Sequence, residues 1–389
     1  MTTKPPLPLC NGGFWEKKMS RVCGIVAEYN PFHNGHKHHI SMAREVSGAD
    51  DVVVVMSGNF VQRGEPAIVD KFVRTRMALL GGADMVLELP VGFSTASAET
   101  FSSGAVYILG KTGMVTDLCF GAETPNLQDL QVIVRHLVNE SESFKTTLKA
   151  NLNQGVSFPK ARAAALKEIL PQSESVINSP NNILSIEYLK ALEKFGFDIK
   201  PHPVGRKGVN HHDTAPAGKF ASATALRKEI LVGKLQNISD FIPQSSIDLL
   251  DGEPFNQIDN FSAVFHYNVQ GNPLEKHAEN HYKISDVITA AKTKNITHTA
   301  LKRLVLNVVL GIKSPQTPQY IRVLGFRRDK SFLVSELQRK ATLPVITNLK
   351  NAPLNLIADE LQATHLYWLA LRPQGTHPRN ELSAQMIII

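Results

Sequence analysis

Short apolar segments that alternate with helical patterns constrain the fold of this chain more than any other feature. Segments of strand length lie at residues 22–27, 51–56, 85–89 and 115–120, and residues 198–204 could add a fifth. Continuous apolar strands separated by helices are typical of a parallel sheet with helices on both faces. In such sheets ligands bind beyond the carboxyl ends of the strands. We therefore expect the loops that follow these strands to line one crevice.

Length and composition indicate a globular protein of two domains. The chain has 389 residues, of which 43% are hydrophobic and 20% charged. We expect a disordered leader over 1–20, with a true start at Met19 as the alternative, a catalytic domain over 21–240 and a basic, mostly helical or mixed C-terminal domain over 241–389. No apolar run reaches the ~18 residues of a membrane-spanning helix. The three cysteines are too few for a disulfide framework or a Cys-based zinc site, which predicts a cytoplasmic protein.

Basic residues are concentrated in one part of the chain. Residues 281–350 contain 13 Lys and Arg against 3 Asp and Glu, whereas the whole chain has a net charge of +7. A basic block on an otherwise near-neutral protein favours a polyanionic partner such as a nucleic acid. A solvated basic face is the alternative.

The motif that most clearly indicates chemistry follows the first predicted strand. It reads Glu28-Tyr29-Asn30-Pro31-Phe32-His33-Asn34-Gly35-His36 and opens a helix. A glycine permits close approach of a nucleotide, and the helix start offers N–H groups to phosphate. Two imidazoles three residues apart could stabilise the negative charge of an in-line attack at phosphorus. The alternatives are a surface loop with chance histidines and a metal site, but no carboxylate or Cys lies at ligand spacing, so we assign no metal ligands.

Further motifs extend this pattern into a family resemblance. They are SGNFVQRGEP at 57–66, ELP at 88–90, FGAE at 120–123, SPNNIL at 179–184 and SATALR at 222–227. Together with the histidine motif they resemble the tRNA(Met) cytidine acetate ligase family, part of the nucleotidylyltransferase superfamily with its HIGH-type motif. The resemblance covers residues 21–230 well and the C-terminal third mainly in its basic character. Ala223 departs from wider relatives, in which a serine is common.

The resemblance implies a Rossmann-like nucleotidylyltransferase domain and a ligase that forms a carbon–nitrogen bond. Such an enzyme converts acetate and ATP, with Mg²⁺, into acetyl-adenylate and pyrophosphate. It then transfers the acetyl group to N4 of the wobble cytidine of elongator tRNA(Met), giving N4-acetylcytidine. His33 and His36 are the implied catalytic residues.

The resemblance also implies the residues of the nucleotide site. The ATP-binding stretch comprises Val26, Ala27, Glu28, Tyr29, Asn30, Pro31, Phe32, His33, Asn34, Gly35, His36, Lys37, His38 and His39. The remaining ATP-binding residues are Gly121, Asn181 or Asn182, Arg206, Ser222, Thr224 and Arg227. From the residues alone, Ser222 and Thr224 can also be read as a helix cap, and Arg227 can fork onto two phosphate oxygens.

The loop after the second strand supplies a candidate pocket for a small acid. Gln62, Arg63 and Glu65 face the same crevice, although a surface turn is the alternative. On the next helix, Lys71 and Arg74 share a face, and solvated charges are the favoured interpretation there. His211, His212 and Asp213 are not expected to contact phosphate or Mg²⁺.

The basic block supplies candidate tRNA-binding residues and separates the rival functions. They are Lys292, Lys294, Lys302, Arg303, Arg327, Arg328, Lys330, Arg339 and Lys340.

Two rival functions share part of this pattern. One rival is a small-molecule nucleotidylyltransferase of the phosphopantetheine or nicotinamide mononucleotide type, which would not need the basic block. The other is a non-catalytic RNA-binding protein, against which the intact histidine motif argues. No DNA partner and no membrane partner are expected.

Overall fold

The computed structural model describes residues 20–177, 179–205, 221–312, 317–371 and 380–389. The strands are β1 (Val22–Ala27), β2 (Asp51–Ser57), β3 (Phe60–Val61), β4 (Glu65–Pro66), β5 (Met85–Leu89), β6 (Asp117–Ala122), β7 (Lys200–Gly205), β8 (Ile321–Phe326), β9 (Val345–Ile346) and β10 (Ile387–Ile388). The helices before residue 200 are α1 (Asn34–Ser47), α2 (Lys71–Leu80), α3 (Val91–Ser94), α4 (Ala98–Lys111), α5 (Leu127–Val138), α6 (Glu142–Asn153), α7 (Phe158–Ile169), α8 (Glu174–Ile177) and α9 (Pro180–Phe195). Those after it are α10 (Ala223–Leu231), α11 (Gln244–Asp248), α12 (Ser262–Asn268), α13 (Glu275–Ala278), α14 (Ile284–Ala291), α15 (His298–Leu310), α16 (Phe332–Lys340) and α17 (Leu354–Leu371).

The central sheet has the strand order β10-β8-β5-β2-β1-β6-β7, with β9 beside β8. Strands β5, β2, β1, β6 and β7 are parallel, so they end at one edge, here called the carboxyl edge, and begin at the opposite amino edge. The predicted α/β fold with a mostly parallel sheet is confirmed. Within the described ranges, every helix is too short or too polar to cross a membrane.

The sequence explains why these elements form and how they pack. Strand β2 is buried along its whole length, as expected for a strand covered on both faces. Val53 and Val55 face the hydrophobic core that contains α4, α5 and α9, whereas Val52 and Val54 face the core that contains α1 and α2. The alternation of side chains along one strand therefore produces two cores, one on each face of the sheet.

The C-terminal part of the chain contributes to the same sheet. Strand β8 pairs antiparallel with β5, and β10 pairs with β8. The predicted boundary at residue 240 therefore does not separate the sheet from the rest of the chain, because non-local pairing of this kind leaves no local mark in the sequence. Apart from residue 20, the predicted leader lies outside the described residues.

A buried network of charges joins the two parts of the chain. Lys71 Nζ lies 2.6 Å from both Glu88 Oε1 and Glu381 Oε1, and Arg322 Nη1 lies 2.7 Å from Glu88 Oε2 and also pairs with Glu381. The expectation that Lys71 is a solvated charge is wrong, because its side chain is 1% exposed. Burial and the nearby charge of Glu88 raise the pKa of Glu360, at the edge of this network, to about 8.

We predict that Glu381→Gln lowers the free energy of unfolding by about 3 kcal/mol at pH 7, because the buried cations Lys71 and Arg322 then lose one of the carboxylates that neutralise them. Burial opposes ionisation of Glu381, but the charges of Lys71 and Arg322 outweigh it and lower its pKa from 4.5 to about 2. The stabilisation is therefore present above the ordinary pKa and is lost as the pH falls from 4.5 towards 2. Urea denaturation of both proteins at neutral and acidic pH measures the difference.

Glu336→Gln is the matched control, because Glu336 pairs with Arg339 and Lys340 at a partly exposed position. Exposed pairs contribute little to stability. Equal losses in the two variants, or a loss in Glu381→Gln that does not shrink at acidic pH, would contradict the prediction.

Candidate nucleotide-binding active site

A cavity of about 250 Å³ opens at the carboxyl edge of the sheet, around the end of β1. It is lined by residues that the sequence predicts for the site and by others that it does not. The predicted ones are Val26, Ala27, Glu28, Tyr29, Asn30, His33, Gly35, His36, His38, His39, Gln62, Arg63, Gly121, Asn181, Ser222, Thr224 and Arg227. The residues that sequence reasoning missed are Met42, Phe101, Phe120, Leu184, Tyr188, Val204, Gly205, Ala221 and Ala223.

The two histidines of the motif form a reciprocal cap at the start of α1. Gly35 N donates to His33 Nδ1 at 3.1 Å, and His33 N donates to His36 Nδ1 at 3.2 Å. The two rings stack with their centroids 3.7 Å apart. Because each Nδ1 accepts a hydrogen bond, the ring proton lies on Nε2. The cap therefore orders both imidazoles as Nε2–H donors beside the helix start.

Helix α10 brings the second predicted phosphate motif to the same cavity. Ser222 caps it by accepting from Ala225 N at 3.1 Å. Arg227 donates from Nη1 to Asn30 O at 2.9 Å and from Nη2 to Thr224 Oγ1 at 3.3 Å. The guanidinium therefore joins the end of β1 to the start of α10, and positive charge stands beside the histidine pair.

Glu65 occupies a different place from the one predicted. It does not line the cavity; instead its carboxylate accepts from Arg227 Nη2 at 3.3 Å and pairs with Lys302 of α15. Burial opposes its ionisation, but the charges of Arg227 and Lys302 outweigh burial and lower the pKa of Glu65. Glu65 thus connects Arg227 to the basic C-terminal part.

The other two residues of that loop do line the cavity and contact the end of β1. Gln62 N donates to Glu28 Oε1 at 2.8 Å, and Arg63 Nε lies 4.0 Å from Glu28 Oε2. The loop between β3 and β4 is therefore fixed against the motif that follows β1.

The side chain of Arg74 holds the chain segments at the ends of β1 and β2 in position. It is fully buried, and its guanidinium donates to Glu28 O at 2.7 Å, to Ser57 O at 3.1 Å, to Val69 O at 3.1 Å and to Gly58 O. The interpretation of Arg74 as a solvated charge is wrong. The sequence shows it one turn from Lys71, but the tertiary fold puts it beneath the carboxyl ends of β1 and β2.

The neighbouring asparagines of α9 have different environments. Asn181 lines the cavity and donates to Glu123 Oε1 at 2.6 Å. Asn182 is fully buried: its Oδ1 accepts from Glu123 N at 2.9 Å and from Thr124 N at 3.1 Å, and its Nδ2 donates to Val176 O at 3.0 Å. The prediction that Asn182 contacts nucleotide is corrected, because the protein itself uses its amide group.

Four residues of the predicted ATP-binding stretch do not contribute to the cavity wall. Pro31, Phe32, Asn34 and Lys37 are not among the lining residues. Phe32 is buried in the core with α1 and α2, and Asn34 Nδ2 donates to Asp240 O at 2.9 Å. Arg206, His211, His212 and Asp213 lie outside the described residues.

The predicted tRNA-binding residues divide between the two edges of the sheet. Arg303 Nη1 donates to Gln62 O at 3.3 Å, and Lys302 pairs with Glu65, so both lie at the carboxyl edge. Burial and the charges of Lys302 and Lys292 lower the pKa of His298, so Lys292 is near them. Lys294 follows two residues later.

The other five basic residues lie at the amino edge. Lys330 Nζ is 2.6 Å from Oδ1 of Asp51, the first residue of β2, and Arg327 N donates to Asp84 O just before β5. Arg328 adjoins them, and Arg339 and Lys340 pair with Glu336 on α16. The length of the strands, about 20 Å for six residues, separates these residues from the cavity. The sequence could not show this, because it does not reveal that β8 runs antiparallel.

The comparisons with known proteins agree with this geometry. Parallel strands, a histidine-capped helix after β1 and an Arg-bearing helix at the same edge define a nucleotidyltransferase, and the family model described as HIGH Nucleotidyl Transferase matches residues 20–381. The tRNA(Met) cytidine acetate ligase of Clostridium perfringens is 35% identical over 379 residues, which cover 89% of this chain and 94% of the relative. That of Listeria monocytogenes is 38% identical over 371 residues, with 90% and 95% covered.

Solved structures extend the likeness to three dimensions. Thermotoga maritima TmcAL without ligand has a TM-score of 0.87 at 33% identity, covering 95% of this chain and 99% of that chain. The same protein bound with alpha-thio ATP has a TM-score of 0.85 at 32% identity. This chain belongs to the tRNA(Met) cytidine acetate ligase family.

We predict opposite consequences for alanine at the two asparagines. Asn182→Ala should lower the free energy of unfolding by about 2–4 kcal/mol, because it removes three hydrogen bonds: two accepted from the N–H groups of residues 123 and 124 and one donated to Val176 O. Asn181→Ala should leave stability within about 0.5 kcal/mol and weaken ATP binding about tenfold, because a polar group is lost from the cavity wall. Urea denaturation and isothermal titration with ATP measure the two effects. The assignment fails if Asn181→Ala is the destabilised variant.

Proposed function

We propose that this protein is an ATP-dependent acetate ligase that acetylates N4 of the wobble cytidine of elongator tRNA(Met). The observation that carries the proposal is the stacked, reciprocally capped pair His33 and His36 at a cavity that Arg227 also reaches. Two ordered donors, a helix start and a guanidinium at one point suit a triphosphate. The names of the relatives support the choice of acetate and tRNA.

The first step activates acetate. A carboxylate oxygen of acetate attacks the α-phosphorus of ATP, the bond to the bridging oxygen breaks, and pyrophosphate leaves with the electron pair. Nε2–H of His33 and of His36 would donate to the α-phosphate oxygens as negative charge builds there. Arg227 and Thr224 would hold the β- and γ-phosphates.

Mg²⁺ fits this site as a partner of the nucleotide. Among the described residues no cluster of three His, Cys, Asp or Glu side chains could hold a metal ion. Mg²⁺ is commonly bound through substrate phosphates with few protein ligands, and there it would neutralise the triphosphate.

The second step transfers the acetyl group to RNA. Cytosine N4 is a weak nucleophile, so a mixed anhydride held close to it is the suitable donor. A wobble base lies in a loop, and its extrusion costs little. We place this reaction in the cytoplasm, because Cys23 and Cys119 are free and buried and a reducing compartment keeps such thiols reduced.

We predict that His36→Ala lowers the rate of acetyl-adenylate formation about 10²–10³-fold, because one of two donors to the α-phosphate is lost. Incubation with ATP, labelled acetate and tRNA, followed by nucleoside mass spectrometry, should detect labelled N4-acetylcytidine with the wild type and little with the variant. His136→Ala, on α5 and away from the cavity, is the matched control. Absence of labelled product from the wild type would overturn the proposal.

The same assay separates the rival functions. Pyrophosphate release that depends on a phosphorylated metabolite rather than on acetate would support a small-molecule nucleotidylyltransferase. No heat of ATP binding in isothermal titration would support a non-catalytic RNA-binding protein.

We predict that tRNA approaches the carboxyl edge through Lys292, Lys294, Lys302 and Arg303. Lys292→Glu with Lys294→Glu should weaken tRNA binding and reduce the slope of log K against log[salt] by about 1–2, because phosphate contacts are lost. Arg327→Glu with Arg328→Glu is the matched control at the amino edge and should change both quantities less. Filter binding at several salt concentrations measures them. Equal effects of the two pairs would show that RNA also contacts the amino edge.

A further inference from the structure

The cavity extends over both faces of the sheet around the end of β1. On the face of α1 its walls include Met42, Val204 and Ala221, which belong to the core with α1 and α2. On the opposite face it is lined by four residues of the other core, here called the aromatic half: Phe101, Phe120, Leu184 and Tyr188. The end of β1 therefore separates two subsites of different chemistry.

The phosphate-binding groups all belong to the α1 face. The histidine pair lies at the start of α1, and Ser222, Thr224 and Arg227 lie on α10, whose Leu226 and Ile230 pack in the same core as α1. Gly121 follows Phe120 on β6. Because successive residues of a strand point to opposite faces of the sheet, Gly121 lies on the α1 side. A nucleotide bound to these groups leaves the aromatic half for the second substrate.

The aromatic half presents packed aromatic rings to the cavity. The rings of Phe120 and Tyr188 have centroids 5.8 Å apart at an angle of 48°, and both side chains are at least nine-tenths buried. Tyr188 is only 5% exposed and lines the cavity. A tyrosine in an aromatic wall offers both a flat apolar ring and a hydroxyl, which suits a ligand that has an apolar face and polar edges.

A carboxylate stands at the border of this half. Glu28 follows β1. Burial of Tyr188 is the main cause of its raised pKa, and the charge of Glu28 raises that pKa further, so the two groups are close. Glu28 Oε1 accepts from Gln62 N at 2.8 Å, which fixes the carboxylate. A carboxylate accepts from the exocyclic amine of cytosine and repels the carbonyl oxygen that uracil has at the same position.

Resting on the proposed function, we propose that the aromatic half receives the cytosine ring of the RNA and that Glu28 accepts a hydrogen bond from its exocyclic amine. Aromatic side chains stack readily on extruded bases. N4 then points across the end of β1 towards the α-phosphate, where the acetyl group is formed.

This arrangement gives a balanced transfer step. N4 attacks the acetyl carbonyl carbon, a nitrogen–carbon bond forms, and the bond between that carbon and the phosphate oxygen breaks. AMP leaves with the electron pair. One of the two N4 protons passes to the Glu28 carboxylate, so no further reactant is required.

The test compares two half-reactions of the full-length protein. Acetate-dependent exchange of labelled pyrophosphate into ATP reports adenylation, and N4-acetylcytidine formation on tRNA reports transfer. Tyr188→Leu and Phe120→Leu should each lower the ratio of transfer to exchange at least tenfold. If the aromatic half instead binds adenine, both rates fall together and the unchanged ratio overturns the proposal.

Because the ratio is taken on one preparation, partial misfolding cancels from it. Tyr107→Leu is the matched control, because Tyr107 lies on α4 and packs against Phe195 outside the cavity. The ratio of transfer to exchange in this variant should equal that of the wild type. Loss of exchange in the wild type would refute the proposed function itself, whereas normal exchange with an unaltered ratio in both variants would refute only this inference.

A second measurement does not depend on activity. A tRNA transcript with the photoreactive base 5-iodocytidine at the wobble position, which keeps the exocyclic amine, is irradiated in complex with the wild type, and the cross-linked peptides are identified by mass spectrometry. We expect cross-links in the peptides that contain Phe101, Phe120 or Tyr188. Cross-links confined to the peptides of Met42, Val204 or Ala221 would overturn the assignment.

Discussion

The site depends on one buried guanidinium. Arg74 donates to backbone carbonyls that follow β1 and β2 and to one that precedes α2, and it has no access to solvent. A buried charge is costly unless its donors are used, so the fold keeps these carbonyls converged on Arg74. The loops that bear Glu28 and Gln62 thereby gain fixed positions, and the histidine motif starts from a rigid base. Precision in the cavity comes from a residue that does not line it.

The C-terminal part completes the sheet and also contacts the loop between β3 and β4, which borders the cavity. Arg322 on β8 and Glu381 near β10 share the buried network of Lys71 and Glu88, which joins distant parts of the chain into one structure. At the carboxyl edge, Glu65 lies between Arg227 and Lys302. The basic residues that would contact RNA are therefore separated by one carboxylate from the arginine that would contact phosphate. Such a connection suits an enzyme that must bring a small activated acid and a large RNA to one point.

The end of β1 organises the chemistry by separating two faces. Ordered imidazoles and a guanidinium lie on the α1 side, and aromatic rings with a nearby carboxylate lie on the other. Phosphate requires donors and positive charge, whereas a pyrimidine requires flat apolar walls and a few directed polar groups. A strand whose side chains alternate provides both environments within a few ångströms of each other.

Local sequence patterns were enough to predict the five parallel strands, the loops that line the crevice and the histidine motif, because apolar periodicity, caps and turns are properties of neighbouring residues. Four features follow from the three-dimensional fold alone: the burial of Lys71 and Arg74, the contacts of Glu65, the difference between Asn181 and Asn182, and the division of the basic block between two edges of the sheet. The aromatic half likewise draws on α4, β6 and α9, which are far apart in the chain. These features depend on contacts between distant segments. The sequence around a charged or aromatic residue does not show whether the fold buries that residue or exposes it.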